Sequence, residues 1–249
     1  MSRIVLVTGG AGQLGSSICK QLDSVKNITI IMSDINIELC KSKIKELDLV
    51  NTYPMELDIT DIDSIEVKFE EIYKKYGSID ILINNAGIGI FTSFKERTFE
   101  DFDKVMKVNV YGTFFCSKEA LKYMEIQDKG IIINIGSIYG VISPDPRIYG
   151  DSKRNSSCVY AMSKASIIQM TKYLACNIKS KNIRVNCISP GGIFNNQEPM
   201  FVMNYVNKTP LERMGHGTDI SKVVKFLCSK DASYIHGQNI IVDGGFTVW

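Results

Sequence analysis

Seven short apolar runs recur along the chain, at 3–8, 27–33, 51–57, 79–84, 130–136, 182–188 and 239–242. Most are continuously apolar and β-branched, as in Ile79-Asp80-Ile81-Leu82-Ile83 and Gly130-Ile131-Ile132-Ile133-Asn134-Ile135. Such runs suit strands covered on both faces in the middle of a parallel sheet. Between them, apolar positions return at helical spacing over 13–25, 36–48, 61–76, 100–127, 157–180 and 218–229. Asp61, Thr218 and the Gly12–Gly15 turn are helix-start signals. The alternation predicts an α/β fold, a doubly wound parallel sheet of about seven strands with helices on both faces and right-handed crossovers. No internal repeat, low-complexity segment or linker interrupts the pattern, so a single domain over 1–249 is expected. Its one irregular stretch, 139–157, contains Pro144, Pro146 and Gly150 and has the length of loops that carry function.

Composition narrows this picture mainly by exclusion. With 29 basic and 27 acidic residues the net charge is +2, which gives no field for nucleic acid or a membrane surface. The first apolar run is too short for a signal peptide or anchor, and a cytoplasmic protein is expected. Seven cysteines with no Cys-x-x-Cys pair read as reduced core thiols. His216 and His236 stand 20 residues apart without partners, so no metal site is expected.

Candidate chemistry begins directly after the first strand, at Thr8-Gly9-Gly10-Ala11-Gly12-Gln13-Leu14-Gly15. Glycines at 9, 12 and 15 permit a tight turn and the approach of a pyrophosphate to the following helix N-terminus, as in Rossmann-type dinucleotide sites. Asp34 ends the second strand, 19 residues after Gly15. A carboxylate there can accept both hydroxyls of an adenosine ribose and repels a 2′-phosphate; the competing role is to cap the next helix. Neither the glycine turn nor the six residues after Asp34 contain Arg or Lys, which favours NAD over NADP.

Further motifs follow in order: Asn84-Asn85-Ala86-Gly87 closing the fourth strand, Asn109 in Lys107-Val108-Asn109-Val110, Ser137 ending the fifth strand, Tyr160-Ala161-Met162-Ser163-Lys164 opening a helix, Pro190-Gly191-Gly192 after the sixth strand, and Asp243-Gly244-Gly245 near the end. In this order they resemble the short-chain dehydrogenase/reductase superfamily, in its compact single-domain branch, from Val5 to Gly245. The resemblance implies catalytic roles for Asn109, Ser137, Tyr160 and Lys164. It places the cofactor against Gly9, Gly12, Gln13, Leu14, Gly15, Asp34, Asp58, Ile59, Asn85, Ala86, Gly87, Tyr160, Lys164, Pro190, Gly191 and Ile193. For Asp58 the competing role is helix capping together with Thr60. The Gly-x-x-Gly-x-x-Gly spacing looks more like the extended branch, but the 89 residues after Tyr160 are too few for that branch's substrate domain.

The residue types suit the chemistry independently of the resemblance. A tyrosine hydroxyl, with a free pKa near ~10, needs a nearby cation to exchange protons at neutral pH. Tyr160 and Lys164, at i and i+4, project from one helix face. By resemblance, Lys164 also bonds the nicotinamide ribose, Ser137 orients the reacting carbonyl or alcohol, and Asn109 holds a water in a relay toward Lys164. Tyr149 and Lys153 repeat the spacing, but Gly150 and Asp151 open a helix poorly, whereas Tyr160 begins a long one.

The expected function is NAD-dependent interconversion of a secondary alcohol and a ketone on a small-molecule substrate. The glycine turn and the Pro-x-Pro loop resemble dehydrogenases of surface-sugar and flagellin-modification pathways, which implies a sugar or sugar phosphate. The alternatives are a 3-oxoacyl-carrier-protein reductase and, in another class, a catalytically inactive NAD-binding scaffold. Arg147, Lys153 and Arg154, between Ser137 and Tyr160, are candidates to grip an anionic substrate; the competing role is to solvate an exposed loop. Helices 100–127 and 157–180 correspond to those making dimer and tetramer contacts in relatives, which implies a homodimer or homotetramer.

Overall fold

The computed structural model describes residues 2–150 and 156–249. Strands β1 (Arg3–Thr8), β2 (Ile28–Asp34), β3 (Thr52–Glu56), β4 (Ile81–Asn84), β5 (Gly130–Ile135), β6 (Ile183–Pro190) and β7 (Asn239–Val242) form one sheet in the order β3-β2-β1-β4-β5-β6-β7. Every pairing is parallel, with Thr8 beside Ser33, Asn84 beside Asn134 and Ile135 beside Ile188. The strands therefore end along one edge. The order reverses between β1 and β4, the switch point where open α/β sheets bind ligands.

Side chains alternate across the sheet, and each face has its own core. Val5, Val7, Ile30, Met32, Ile81 and Ile83 pack against α1 (Gln13–Asp23) and α8 (Gly217–Leu227). Ile4, Leu6, Ile31, Leu82 and Ile132 meet α3 (Ile62–Tyr76) and α5 (Thr113–Ile126) on the other side. Helix α2 (Ile37–Glu46) is capped by the Asn36 side chain and α3 by that of Asp61. Such caps contribute typically about 1 kcal/mol each. Five of the seven cysteines are buried, Cys158 is half-buried and Cys176 is exposed.

Three segments differ from the sequence expectation. The helix predicted over 100–127 is α4 (Phe99–Met106), a π-helical turn at Lys107–Gly112, and then α5. The wider turn admits Ile59, whose Cδ1 lies where a Gly112 side chain would begin; π turns concentrate at functional sites. The 139–157 stretch contains two 3₁₀ turns, Ile138–Gly140 and Pro146–Tyr149, the second capped by Asp145. A helix not expected from the sequence, α7 (Pro199–Val206), packs on that second turn. The stretch Pro199-Met200-Phe201-Val202-Met203 is apolar without helical alternation, and only the tertiary contacts reveal its periodicity.

Candidate active site

A cleft of about 1010 Å³ runs along the C-terminal edge of the sheet. Its cofactor half is built at the switch point. Gly9 has φ +59, and a Cβ there would meet Ala86 Cα at 2.7 Å, so only glycine lets the β1 turn lie against the β4 turn. The Asn85 amide donates to the carbonyls of Thr8 and Gly9, at 3.0 and 2.9 Å, and locks the two turns together. Thr8, absent from the sequence-derived set, accepts the backbone N–H groups of Asn85 and Ala86 on its hydroxyl, at 3.1 and 3.2 Å.

Gly12 differs from these packing glycines. It lines the cleft, and the nearest atom to an added Cβ is Gly9 O at an ordinary 3.4 Å. The space is therefore not filled by the protein itself. Gly12 starts α1 without a side-chain cap, and no acid stands in the first turn. Uncapped N–H groups at a helix start, with room left above them, fit a pyrophosphate. Gly15 does not line the cleft: a Cβ there would lie 2.2 Å from Gly9 O, so this glycine serves turn-to-helix packing rather than cofactor contact.

Gln13, Leu14, Asp34, Asp58, Ile59, Asn85, Ala86, Gly87, Pro190, Gly191 and Ile193 all line the cleft. One Asp34 oxygen accepts the Asn36 N–H at 3.3 Å, a long bond that leaves the other oxygen for a ribose. One Asp58 oxygen is engaged by both the N–H and the hydroxyl of Thr60, at 2.8 and 2.7 Å, so the turn-forming role is present beside any adenine contact.

The candidate reacting centre lies at the ends of β5 and α6 (Cys158–Asn177). Ser157 caps α6, its hydroxyl accepting Tyr160 N–H at 3.2 Å, which places Tyr160 in the first turn and Lys164 one turn on. Ser137, Tyr160 and Lys164 line the cleft together. Burial raises the Tyr160 phenol above its ordinary pKa, with the neighbouring Ser137 hydroxyl acting in the opposite sense. Lys164 is buried, and burial lowers its ammonium to about 8, with Cys187 acting in the opposite sense. Its Nζ donates to Ile135 O at 2.7 Å and lies 5.6 Å from the Tyr160 ring centre.

Asn109 does not line the cleft. Its side chain accepts Ile88 N–H at 2.8 Å and donates to Ile88 O at 3.0 Å and to Ser163 Oγ at 2.9 Å. Ser163, which the sequence pattern did not single out, donates in turn to Tyr160 O at 2.7 Å. A Cβ on Gly87 would stand 3.3 Å from Lys164 Nζ and 3.4 Å from Asn109 Oδ1, so these groups converge on the β4 turn.

The other half of the cleft, the candidate substrate side, is aromatic. Tyr139, Tyr149, Phe91, Phe201, Tyr205 and Met214 line it, and the Tyr139 and Tyr149 hydroxyls lie 3.3 Å apart. Tyr149 ends a four-residue 3₁₀ turn, and Gly150 closes it with φ +51. Lys153 and Arg154 lie outside the described residues. Arg147 does not line this cleft. Its side chain is 85% exposed and turned outward, with Nε 2.9 Å and Nη2 2.8 Å from the Asp145 carboxylate. Lys208, at the end of α7, pairs with the same carboxylate. Together the Arg147 and Lys208 hydrogen bonds hold Asp145 well below the usual carboxylate range. The expectation that Arg147 grips substrate is thus corrected: its charge is spent on the loop's own acid.

A parallel sheet with a glycine turn at its switch point and a Ser-Tyr-Lys set at the adjoining strand ends defines a nucleotide-dependent oxidoreductase. Comparison with known proteins agrees. The family described as Enoyl-(acyl carrier protein) reductase matches residues 11–247. A 3-oxoacyl-(acyl-carrier-protein) reductase FabG of Thermotoga maritima is 34% identical over 258 residues, 99% of this chain and 98% of that protein. The Post-translational flagellin modification protein A of Campylobacter coli is 29% identical, over 98% of each chain. Among solved structures, a short-chain dehydrogenase of Leptospira borgpetersenii with bound NAD+ is 43% identical with a TM-score of 0.88, covering 99% of this chain and 93% of that one. The chain belongs to the short-chain dehydrogenase/reductase superfamily and is an oxidoreductase acting on CH–OH groups. No helix among the described residues is long and apolar enough to cross a membrane.

Proposed function

We propose that this chain is an NAD(H)-dependent reductase of 3-oxoacyl thioesters, acting through Ser137, Tyr160 and Lys164. The observation that carries the reaction is the convergence of Ser137, Tyr160 and Lys164 on one cleft. Burial acts against the phenolate and so favours the neutral phenol that delivers a proton to a carbonyl being reduced. The hydride would come from bound reduced nicotinamide. Ser137 donates a hydrogen bond to the carbonyl oxygen and polarises it. Tyr160 passes its proton to the oxygen as the carbon becomes tetrahedral. Lys164, largely charged below about 8, lowers the cost of the phenolate left behind. Asn109 holds Ile88 and Ser163 in place around this pair. Run in reverse, the same groups oxidise a secondary alcohol.

Asp34 without a neighbouring Arg or Lys supports NAD over NADP, and the NAD+-bound Leptospira relative is in keeping with that preference. For the substrate, the relatives named 3-oxoacyl reductases favour an acyl thioester over the sugar phosphate that the loop sequence implied. The aromatic substrate end supports the same reading. No arginine among the described residues lines the cleft; of its three lysines, Lys164 is bonded to Ile135 O, Lys107 is paired with Asp103 at 2.7 Å, and Lys104 is exposed. Phe99, Phe102, Tyr111 and Phe114 expose aromatic surface from α4 to α5, and a second copy of the chain covers it in this account; a monomer in sedimentation would refute that part.

The test is NADH oxidation with a 3-oxobutyryl thioester, run beside phosphorylated and nucleotide-linked 4-keto sugars. Turnover of the thioester with the sugars inert is expected. Turnover of a keto sugar alone would return the assignment to surface-sugar chemistry.

A further inference from the structure

Tyr205 lies on α7, the helix that the sequence pattern did not announce, yet it is 2% exposed and its phenol oxygen accepts Gly192 N–H at 2.5 Å. Gly192 belongs to the Pro190–Ile193 turn that lines the cofactor cleft. The Tyr205 ring also fills the space above both glycines of that turn. A Cβ on Gly191 would lie 2.9 Å from its hydroxyl, and one on Gly192 would lie 2.7 Å from ring carbons. Gly192 is therefore explained by the tyrosine it admits, whereas Gly191 is crowded equally by Asp243, whose Cα would lie 2.8 Å from its Cβ. On its other side the ring stacks on Phe246, with centres 4.5 Å apart and planes at 16°.

The same helix forms part of the substrate wall. Phe201 packs on Tyr149, Asn204 donates to Ile148 O at 3.3 Å, and Lys208 pairs with Asp145. One residue thus touches the cofactor turn while riding on the helix that walls the substrate. We propose that Tyr205 is a positioning residue that fixes the Pro190–Ile193 turn in its cofactor-binding shape and couples it to α7. Burial raises the phenol to about 12, so it remains a neutral hydrogen-bonding group across the working pH range.

The proposal rests on the cofactor reading above but has a readout independent of it. Tyr205→Phe removes the hydroxyl and keeps the stacking ring. In the protein without cofactor, hydrogen exchange at the Gly192 amide is expected to accelerate. NADH titration, followed by the fluorescence of the single tryptophan, Trp249, whose indole donates to Lys208 O at the end of α7, is expected to show a dissociation constant raised about two- to tenfold, the worth of one net hydrogen bond. Substrate KM is expected to rise as well, while kcat at saturation stays within about twofold, because Tyr205 does not touch the reacting atoms. If Tyr205→Phe does not fold, Phe246→Leu loosens the phenol without removing it and the same pair of changes is expected. Unchanged NADH affinity would overturn the proposal, whether or not Gly192 exchange accelerates. Failure of the unaltered protein to bind NADH or NADPH would instead defeat the cofactor reading, and the exchange result would still report on the Tyr205–Gly192 bond.

Discussion

The two ends of the cleft are made in different ways. At the cofactor end the backbone does the work: Gly9 against Ala86, an uncapped α1, and strand ends fixed by the sheet register. At the substrate end the wall is side chains, Tyr139, Tyr149, Phe201 and Tyr205, brought together from the 138–149 turns and α7. Backbone geometry demands particular residue types at fixed spacings, so it leaves motifs. Aromatic packing demands only size and position in space, so it leaves none. The difference teaches where sequence similarity informs: it marks the reaction and the cofactor, and it thins out where the substrate is chosen.

The two ends separate most sharply at two tyrosines. Tyr160→Phe is expected to lower kcat for carbonyl reduction by about 10²–10⁴-fold with NADH affinity nearly unchanged, the usual span for a lost general acid. Tyr149→Phe should change kcat by less than about threefold while moving substrate KM. A dead Tyr149→Phe enzyme would put the chemistry on the aromatic side instead.

A smaller effect tests the cofactor end. Asp34→Ala is expected to weaken NADH binding by about tenfold or more, since hydrogen bonds to a carboxylate are among the stronger ones. NADPH binding should change little or improve, so the preference narrows. Fluorescence titration of both cofactors measures it, and an unchanged ratio would leave Asp34 only its bond to the Asn36 N–H.

Next comes a pH effect at the junction of the two ends. Lys164 binds its proton less tightly in the fold, at about 8, than in the unfolded chain near ~10.4. Between those values the unfolded chain holds more protons, so this residue makes stability rise with pH across the window. Below about 8 the buried charge is a standing cost. Lys164→Met should therefore exceed the unaltered protein in stability most at pH 7, with the gap closing toward pH 10 in urea denaturation. A gap that widens with pH would reverse the assigned cause.

The smallest expected change concerns the substrate wall. Lys208→Ala removes one of the two cations that hold Asp145 and so loosens α7 from the 146–149 turn. Substrate KM should rise about two- to fivefold in steady-state assays, with salt reducing the difference because the pair is partly exposed. No change in KM would make the pair a surface contact only.

These contrasts follow what was legible in the sequence. All seven strands appear within a few residues of where the apolar runs place them, because a strand buried on both faces has no polar positions to blur it. Ser137, Tyr160 and Lys164 line one cleft, while the Ser157 cap that sets Tyr160 in the first turn of α6 is a local feature the sequence pattern did not single out. Asn109 was found but in another posture: its amide ties Ile88 to Ser163, contacts across 21 and 54 residues that no local spacing announces. Helix α7 was missed because its buried face is set by Phe246 and Tyr149, far away in the chain. Arg147, open in the sequence between gripping substrate and solvating a loop, takes the loop role for a similar reason. Its neutralising partner, Asp145, was two residues away in plain view, but only the turn geometry closes that pair.

The central claim, an NADH-dependent carbonyl reductase of acyl thioesters, is tested most directly by kcat/KM for a 3-oxobutyryl thioester with NADH and with NADPH. Turnover with NADH clearly preferred, and 3-hydroxybutyryl thioester as product, is expected. No turnover, or a preference for NADPH, would contradict it.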